Sequence, residues 1–502
     1  MGAEKLQTEY LPVNDSDSID MIDKNLSEEI IIGLCGQLGT DLTLVQNILE
    51  NIFEATYKYE CEIISMSNFI FKYTDYKPSI DEYERIVAGM NGGDELRKNY
   101  KNHILADLAI TRIGSDRFQT TPPEKIEKRN FTSRRKCFII NSIKHPEEFS
   151  LFEKVYGSAF YSLGIFSSYE ERVKNLRKKL KPKHYKNIDK LIDRDTGTDI
   201  LNGQHVEEVF IKSDYFIRTS RTDKSLEDRL HNFMNLIFDF HVNTPTKEEN
   251  AMYQATAASV NSACLSRQVG ACITDKDTNI LSVGWNDVPA FGGGVYQNGH
   301  SADKRCYKIG CCANSSKKED MTTKIYNDLA SKKLLTKKCS DEVKTILNNN
   351  GIKSLIEFAR SIHAEMHAII IGSQKTGDKM IGGKLFCTTY PCHNCARHIV
   401  LSGIKEVYFI EPYRKSLCIE LHKDAITEKE NKNEKKVRIL MYEGVAPKSF
   451  IKFYQLIKDN RKTKMKEKKE QLKPKHMVQL EALHEREVHT TEYLKDLDLL
   501  DS

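Results

Sequence analysis

The chain has 502 residues, of which 39% are hydrophobic and 29% are charged, and its formal net charge is +5. At roughly 100–200 residues per domain, this length predicts two or three domains. The small net charge gives no reason to expect that the chain as a whole binds nucleic acid. The sequence has no run of about 18 apolar residues, which a membrane-spanning helix would need.

The N-terminal residues and the cysteines indicate a reducing compartment. Residues 1–20 are polar and acidic, and they lack the basic and apolar regions of a secretory signal peptide. In a chain without an export signal, thirteen cysteines favour metal ligands or buried thiols over disulfides. We therefore expect a cytoplasmic protein, in which residues 1–27 form a flexible leader.

A strand, a glycine-rich turn and a helix are predicted at the start of the first domain. Residues 30–32 are a β-branched run, and Gly36 and Gly39 interrupt the sequence after it. Asp41 is expected to cap a helix, because apolar residues recur at helical spacing from Leu42 onward. A nucleotide-binding β–α unit begins in this way.

Further strands are predicted at 136–143 and near 206–217, and a helix is predicted at 170–180. Strands that alternate with helices indicate a parallel α/β sheet. We place this first domain at 28–240.

The glycine-rich stretch of the first domain, GLCGQLGTDLT at 33–43, is similar to a Walker A loop without its lysine. That motif needs a Lys before the hydroxyl residue, but Thr40 and then Asp41 follow Gly39 here. The missing Lys counts against kinase or ATPase turnover, whereas phosphate binding to the backbone and a purely structural turn both remain open. The candidate nucleotide-binding residues are Gly36, Gln37, Leu38, Gly39 and Thr40.

The second domain, placed at 245–456, is predicted to begin with a helix of small residues at 251–266. A hairpin with the turn DKDTN follows, and residues 361–412 then predict helix, strand, helix and strand in turn. Residues 457–502 are expected to be a charged tail, because 461–475 contain eight Lys or Arg and two Glu. A solvated helix, a disordered segment and a contact with nucleic acid or a partner are all consistent with such a tail.

Four residues of the second domain predict a catalytic zinc site. His363, Cys392 and Cys395 supply three nitrogen and sulfur ligands, which leaves one position of a tetrahedral zinc for water. Glu365, two positions after His363, is suited to proton transfer. Zinc deaminases have this signature, H-x-E followed by P-C-x-x-C, with the Glu as acid and base.

Other ligand sets remain open at this stage. His367 is a rival ligand one helical turn after His363, and C-x-x-C alone is also found in structural zinc sites. Among the residues of the insert between Pro289 and His363 are His300, Cys306, Cys311 and Cys312, which could bind a second zinc.

The second domain resembles the deoxycytidylate deaminase family over roughly 260–290 and 355–415. The motifs that carry the resemblance are QVGA, GWNDVP, HAE, YPCHNC and SGIKEV, in that order. The resemblance implies a cytidine-deaminase-like α/β/α sandwich, a zinc cofactor and a deoxycytidine nucleotide substrate. It also implies that Asn286 contacts the deoxyribose and that Tyr390 helps to form the base pocket.

The first domain contains the stretches IINSIKHPEEF at 139–149, RDTGTDILNGQ at 194–204 and SDYFI at 213–217. With these stretches it resembles a nucleoside monophosphate kinase-like P-loop domain. The two domains together resemble bacterial antiphage deaminases that act on dCTP and dCMP and deplete deoxycytidine nucleotides. This resemblance implies a nucleotide at the first domain, a homo-oligomer, and an inhibitory RNA or protein partner.

Three other functions remain as alternatives. The first is a polynucleotide cytosine or adenine deaminase, which would need a basic, aromatic-lined channel. The second is a non-catalytic nucleotide-sensing regulator, against which the presence of Glu365 argues. The third is a bifunctional kinase and deaminase, against which the missing lysine of the loop argues.

Overall fold

The computed structural model describes residues 18–120, 132–197, 202–219, 225–335, 340–349, 352, 355–412, 416–430, 435–456 and 468–500. The chain forms two compact units. The first comprises residues 1–243 and 451–502, and the second comprises residues 244–450. In the described residues, no helix is long and apolar enough to cross a membrane.

The first unit is built on a parallel sheet. The strands of this sheet are β2 (Ile30–Gly36), β3 (Glu60–Ser65), β4 (Lys136–Asn141), β5 (Phe160–Phe166) and β6 (Tyr215–Arg218). A short strand, β1 (Leu26–Ser27), lies outside it and pairs antiparallel with Val478–Gln479. The main sheet has the order β6-β5-β2-β4-β3, with each of these pairs parallel. Strand β2 is therefore central, and every one of its residues is buried.

Helices connect the strands of this unit. They are Ser18–Lys24, Leu42–Ile52, Met66–Tyr73, Glu82–Asn99, Ile104–Thr120, Pro146–Tyr156, Tyr169–Lys179, Ile188–Thr196, Val206–Phe210, Leu226–Ile237 and Leu480–Asp496. A π-helical turn at Phe53–Tyr57 and 3₁₀ turns at Gly157–Ala159, Pro182–Asn187 and Lys469–Gln471 complete the unit.

The parallel α/β sheet predicted from the sequence is confirmed, with corrections to its elements. Strands β2 and β4, the helix Leu42–Ile52 and the helix Tyr169–Lys179 lie where they were predicted. The strand predicted near 206–217 begins only at Tyr215, because Val206–Phe210 is a helix. Strands β3 and β5 were not predicted.

Both ends of the chain differ from the expected leader and tail, so far as they are described. Residues Ser18–Lys24 are helical, and β1 pairs with Val478–Gln479. The helix Leu480–Asp496 buries Leu483 and Leu494 and packs in the first unit against the helix Ile104–Thr120. Residues 1–17 and 457–467 lie outside the described residues.

The second unit has one mixed sheet. The strands of this sheet are β7 (Gly270–Thr274), β8 (Ile280–Trp285), β9 (Lys384–Thr389), β10 (Glu406–Glu411), β11 (Ile426–Thr427) and β12 (Val437–Met441). The two-residue strand β13 (Gly444–Val445) is not part of it. The sheet order is β11-β12-β10-β9-β7-β8. Strands β9, β10, β11 and β12 are parallel, and β7 is antiparallel to both β8 and β9.

The helices of the second unit are Lys247–Ser259, Cys306–Ile309, Ala313–Ser331, Ser340–Asn349, Ala364–Thr376, His393–Leu401 and Cys418–Leu421, and a further helix, Phe450–Tyr454, begins at its end. The predicted hairpin and the helix–strand–helix–strand series are confirmed. The first helix ends at Ser259 and not at 266, and Thr246 caps its start with a capping box. Helices occupy much of the insert, for which the sequence predicted no regular structure.

Strand β8 supports the helix Ala364–Thr376 at very short range. A Cβ atom added at Gly284 would lie 2.4 Å from the backbone nitrogen of Ala368 and 2.7 Å from the carbonyl oxygen of Ala364. Ser282 in the same strand donates a hydrogen bond to the Ala368 carbonyl over 2.8 Å. These contacts fix the position of the helix relative to the sheet.

Candidate active site

The helix Ala364–Thr376 places the predicted histidine and glutamate at its beginning. His363 is the N-cap residue, and its side chain makes no capping hydrogen bond, so the ring is available for another contact. Glu365 lies in the first turn and is 4% exposed. The helix is thus a rigid support for both side chains.

The helix His393–Leu401 places the two cysteines in the same way. Cys392 is its N-cap residue, and Cys395 is buried in its first turn. The Nδ1 atom of His363 lies 3.3 Å from the sulfur of Cys392 and 3.3 Å from the sulfur of Cys395. The fold therefore brings together three side chains that the sequence had nominated as metal ligands.

These three side chains fit a zinc ion. Their ligand atoms all lie within 4.8 Å of one another, and a set of one nitrogen and two sulfurs leaves one position of a tetrahedral site open. Among the described residues, no second group of three or more His, Cys, Asp or Glu side chains is placed to hold a metal. Within the part of the chain that the structure describes, Cys306, Cys311 and Cys312 therefore do not assemble into the second zinc site that the sequence left open.

The two thiols differ in their electrostatics. Hydrogen bonds from Cys395 and His363 lower the pKa of the Cys392 thiol to about 4, so this sulfur is a thiolate at neutral pH. Burial raises the pKa of the Cys395 thiol well above its ordinary value. Cys395 would lose its proton on coordinating a metal ion, because coordination deprotonates a thiol outright.

Glu365 is buried beside the three candidate ligands. Burial raises the pKa of its carboxyl group, and the negative charge of Cys392 raises it further. A carboxylate with a raised pKa is suited to accept and return a proton near neutral pH. This is the chemical property that the sequence-based prediction required of Glu365.

A cavity of about 550 Å³ opens onto this site. His363, Glu365 and Cys392 contribute to its wall, together with Asn286 and Tyr390. Three basic side chains also line the cavity, namely Arg267, Lys318 and Arg360. A ligand with an anionic end could therefore lie in it with another part near Glu365.

Asn286 has a structural role in addition to its position in the cavity wall. Its Oδ1 atom accepts a hydrogen bond from the backbone nitrogen of Val269 over 2.7 Å, and its Nδ2 atom donates one to the carbonyl oxygen of Arg267 over 2.8 Å. The side chain thus holds the segment that precedes β7. Its contact with a sugar stays a prediction.

Tyr390 also lines the cavity and is 8% exposed. Its hydroxyl donates a hydrogen bond to Glu428 over 2.8 Å, and its ring meets that of Phe409 edge to face. Burial raises the pKa of the hydroxyl, and the charge of Glu428 adds to this effect. The ring is therefore held firmly, and its contact with a base stays a prediction.

His367 does not join the three candidate ligands. Its Nδ1 atom lies 3.2 Å from the backbone nitrogen and 3.0 Å from the carbonyl oxygen of Trp285. Burial lowers the pKa of its ring. The side chain therefore ties the helix to strand β8. The alternative prediction that His367 is a zinc ligand is wrong.

The glycine-rich loop of the first unit borders a separate cavity of about 340 Å³. All five predicted nucleotide-binding residues, at 36–40, line this cavity. Gly39 has φ +89°, a backbone conformation that favours glycine. Asp41 caps the helix Leu42–Ile52 by accepting a hydrogen bond from the backbone nitrogen of Leu44, as the sequence predicted.

Several residues that line the cavity beside Glu365, in the second unit, were not singled out from the sequence. Cys264, Asn314, Lys318 and Arg360 are examples, and Glu428 supports Tyr390 from behind. Asn314 and Lys318 lie on the helix Ala313–Ser331 of the insert. Their position depends on how the insert folds over the site, for which the sequence offered no periodic signal.

The sequence of the second unit matches a known family model. Residues 245–411 match the cytidine and deoxycytidylate deaminase zinc-binding region. A deoxycytidylate deaminase of Enterobacteria phage T2 is 29% identical over 170 residues, which are 34% of this chain and 82% of that protein. The corresponding phage T4 protein is 25% identical over 173 residues, 34% of this chain and 80% of that protein.

Two further proteins are also similar, one over a short segment and the other at lower sequence identity. ComE operon protein 2 of Bacillus subtilis is 46% identical over 56 residues, but this chain spans only 29% of its length. The dCMP deaminase of cyanophage S-TIM5, solved with dCMP and dUMP, is 21% identical over 40% of this chain and 99% of that one, with a TM-score of 0.24.

The family match confirms the sequence-based predictions of a zinc cofactor and of a deaminase. Residues 245–411 of the second unit are thus similar to the zinc-binding region of cytidine and deoxycytidylate deaminases, and these similarities indicate a deaminase of the hydrolase class.

Proposed function

We propose that this chain hydrolyses the amino group of deoxycytidine nucleotides, converting dCMP to dUMP and dCTP to dUTP with release of ammonia. The observation that carries the proposal is the position of Glu365. This buried carboxylate lies beside His363, Cys392 and Cys395, in the wall of a cavity large enough for a nucleotide.

His363, Cys392 and Cys395 would hold the zinc ion, which when bound makes a water molecule acidic enough to react near neutral pH. Water adds to C4 of cytosine, and the exocyclic amino group leaves as ammonia. Glu365 would accept one proton from the attacking water and pass it to N3 of the base. It would then carry the remaining proton of the added hydroxyl to the amino group, which leaves as ammonia. Its burial supports this role, because a raised carboxyl pKa favours the return of the proton.

The remaining side chains of the cavity are suited to hold a nucleotide. The firmly held ring of Tyr390 would pack against the base, and the amide of Asn286 would face the deoxyribose, since each of its polar atoms can make a second hydrogen bond. Arg267, Lys318 and Arg360 would face the phosphates. Arg267 already pairs with Glu411 over 3.0 Å, but Lys318 and Arg360 add further positive charge, which supports dCTP as well as dCMP as a substrate.

We further propose that the reaction lowers deoxycytidine nucleotide pools in the cytoplasm during phage infection. The support is the resemblance of the two-domain arrangement to antiphage deaminases. Nucleotide pools measured in infected cells would test it. Cells with the intact chain should lose dCTP after infection, and cells with a Glu365→Gln variant should keep it.

Chromatography of products tests the proposed reaction. The purified chain is incubated in parallel with dCMP, dCDP, dCTP, CTP and a cytosine-containing oligonucleotide. Deoxyuridine products from dCMP or dCTP would support the proposal. Conversion of the oligonucleotide alone would replace it with a polynucleotide deaminase, and conversion of none by zinc-loaded protein would favour a nucleotide-sensing regulator.

A further inference from the structure

The glycine-rich loop of the first unit already holds an anion that belongs to the chain itself. The backbone nitrogen of Leu38 donates a hydrogen bond over 2.6 Å to Oδ2 of Asp195. Asp195 lies near the end of the helix Ile188–Thr196 and is 1% exposed. A backbone N–H in a loop between a strand and a helix is the kind of donor that binds phosphate, and here a carboxylate takes that place.

Lys144 supplies the positive charge that this loop does not carry in its own sequence. Its Nζ atom donates to Oδ1 of Asp195 over 2.7 Å and to the carbonyl oxygen of Gly36 over 3.2 Å. Gly36 ends β2, and Lys144 follows the end of the neighbouring parallel strand β4. Ligands of open α/β sheets bind at this end of the strands.

The same cavity contains buried polar atoms that make no hydrogen bond with any described residue. They are Oγ1 of Thr40, Oε1 of Gln204 and Nη1 of Arg97. Arg97 is 2% exposed. Its Nε and Nη2 atoms donate to Glu148, whereas Nη1 lies 3.6 Å from the nearest carboxylate, that of Asp94. Buried polar atoms without partners are costly, and their presence in a cavity points to a polar ligand.

We propose that this cavity binds the phosphate group of a phosphorylated small molecule, and that Asp195 is the internal anion which that phosphate replaces. The phosphate would take over the hydrogen bonds from Leu38 and Lys144. Its further oxygens would accept a hydrogen bond from the Thr40 hydroxyl, which makes none with any described residue. The inference concerns a second site in the other unit and does not depend on the deaminase reaction.

The replacement of Asp195 by a phosphate is physically reasonable, because a phosphate has more negative charge and more hydrogen-bond acceptors than a carboxylate. It carries up to two negative charges and has more acceptor oxygens than Asp195. Against this, the carboxylate is tethered beside the loop, so a ligand must compete with it. Wild-type affinity should therefore be modest, and binding should release the end of the helix Ile188–Thr196.

Titration calorimetry on the full chain tests the proposal, with inorganic triphosphate and ATP as separate probes. An Asp195→Asn variant keeps the shape of the side chain and removes the competing charge, so it should bind triphosphate at least about tenfold more tightly than wild type. Lys144→Met should abolish the binding that Asp195→Asn tightens, whereas any binding of the probe in the cavity of the second unit should persist. Lys318→Met changes a basic residue of the other cavity and should leave this binding unchanged.

Either of two results would overturn the proposal. One is an Asp195→Asn variant, with a wild-type melting temperature, that binds triphosphate and ATP no more tightly than wild type. The other is that all of the measured binding survives Lys144→Met and is lost in Lys318→Met. Tighter binding of ATP than of triphosphate would still support the proposal, and it would indicate that the cavity also contacts the nucleoside.

Hydrogen exchange gives a test that needs no substitution. Saturating triphosphate should speed amide exchange in the last turn of the helix Ile188–Thr196, because Asp195 no longer holds that turn, while the Leu38 amide stays protected. Unchanged exchange in that turn at saturation would contradict the replacement of Asp195.

Discussion

The Nδ1 atom of His363 lies 3.3 Å from the sulfur of Cys392, although 29 positions separate the two residues in the chain. Each residue is the N-cap of its own helix. The proposed zinc ligands are thus held by the ends of two rigid elements and not by loose loops. Helix N-termini also favour the thiolate form of a cysteine.

Replacing a ligand should remove the metal. We expect Cys392→Ser to lower the zinc content from about one ion per chain to well below that value, because a hydroxyl is a much poorer zinc ligand than a thiolate. The matched control is Cys311→Ser, since Cys311 is exposed and outside the ligand set. Elemental analysis of both variants checks this, and full zinc content in Cys392→Ser would contradict the assigned ligands.

The close contact of β8 with the helix Ala364–Thr376 should make Gly284 intolerant of a side chain. In Gly284→Ala the added methyl would meet the backbone of Ala364 and Ala368, and the helix that carries His363 and Glu365 would have to move. We expect a loss of about 1–3 kcal/mol in the free energy of unfolding of the second unit and a lower kcat. Denaturant unfolding and steady-state kinetics measure the two effects.

Gly89→Ala is the control for that substitution. The added methyl would make only an ordinary contact, 3.7 Å from Phe71, inside the helix Glu82–Asn99. Alanine favours a helix over glycine by about 1 kcal/mol, so this variant should be as stable as wild type or more so. Equal losses in the two variants would show that the contact at Gly284 is not the cause.

Asn286 should matter for stability as well as for the substrate. Asn286→Ala leaves the backbone nitrogen of Val269 and the carbonyl oxygen of Arg267 without their present partner, which should cost about 1–3 kcal/mol. Asn279→Ala, in the exposed hairpin turn, should change stability by less than about 0.5 kcal/mol. A rise in KM with unchanged thermal stability in Asn286→Ala would favour a role in substrate contact alone.

A buried ion cluster gives the first unit a specific pH dependence. Arg117 forms ion pairs with both Glu29 and Glu487. Burial raises the pKa of Glu487 to about 7, against the lowering effects of Arg117 and of the Tyr156 hydroxyl. The carboxyl thus binds its proton more tightly in the folded state, so its stabilising contribution is present below its ordinary pKa and is lost as the pH rises towards 7.

A Glu487→Gln variant should remove this dependence. We expect the wild type to lose stability relative to the variant between about pH 5 and pH 7.5. The pKa of Glu29 is lowered, although burial opposes the shift, because Arg117 and Arg134 stabilise its charge. Glu29 therefore acts mainly below that range. Urea unfolding of both proteins across the range checks this, and parallel pH profiles would contradict it.

The sequence predicted the site better than it predicted the fold around it. His363, Glu365, Cys392 and Cys395 could be identified because their chemistry needs fixed residue types at short spacings next to helix starts. The hairpin and helices of the second unit were predictable because hydrophobic periodicity and turn residues agreed there. The role of His367 could not be predicted. A histidine one helical turn after His363 can equally be a metal ligand or contact a neighbouring strand.

Features that depend on distant parts of the chain could not be predicted. The burial of Glu487 in the core of the first unit depends on where the helix Leu480–Asp496 packs, and the local sequence pattern does not indicate that position. The pairing of Asp195 with Leu38 joins residues that are 157 positions apart. Strand β3 was missed because its burial is mixed along its length, so it gives no clear two-residue period.

The most direct test of the central claim compares wild type with Glu365→Gln, measuring dCMP conversion and zinc content on the same samples. The variant keeps the size of the side chain and cannot move the proton. We expect its rate to fall by about 100-fold to 10,000-fold, while it retains as much zinc as wild type. A variant that holds zinc and still converts dCMP at the wild-type rate would contradict the assignment of Glu365 as the proton-transfer group.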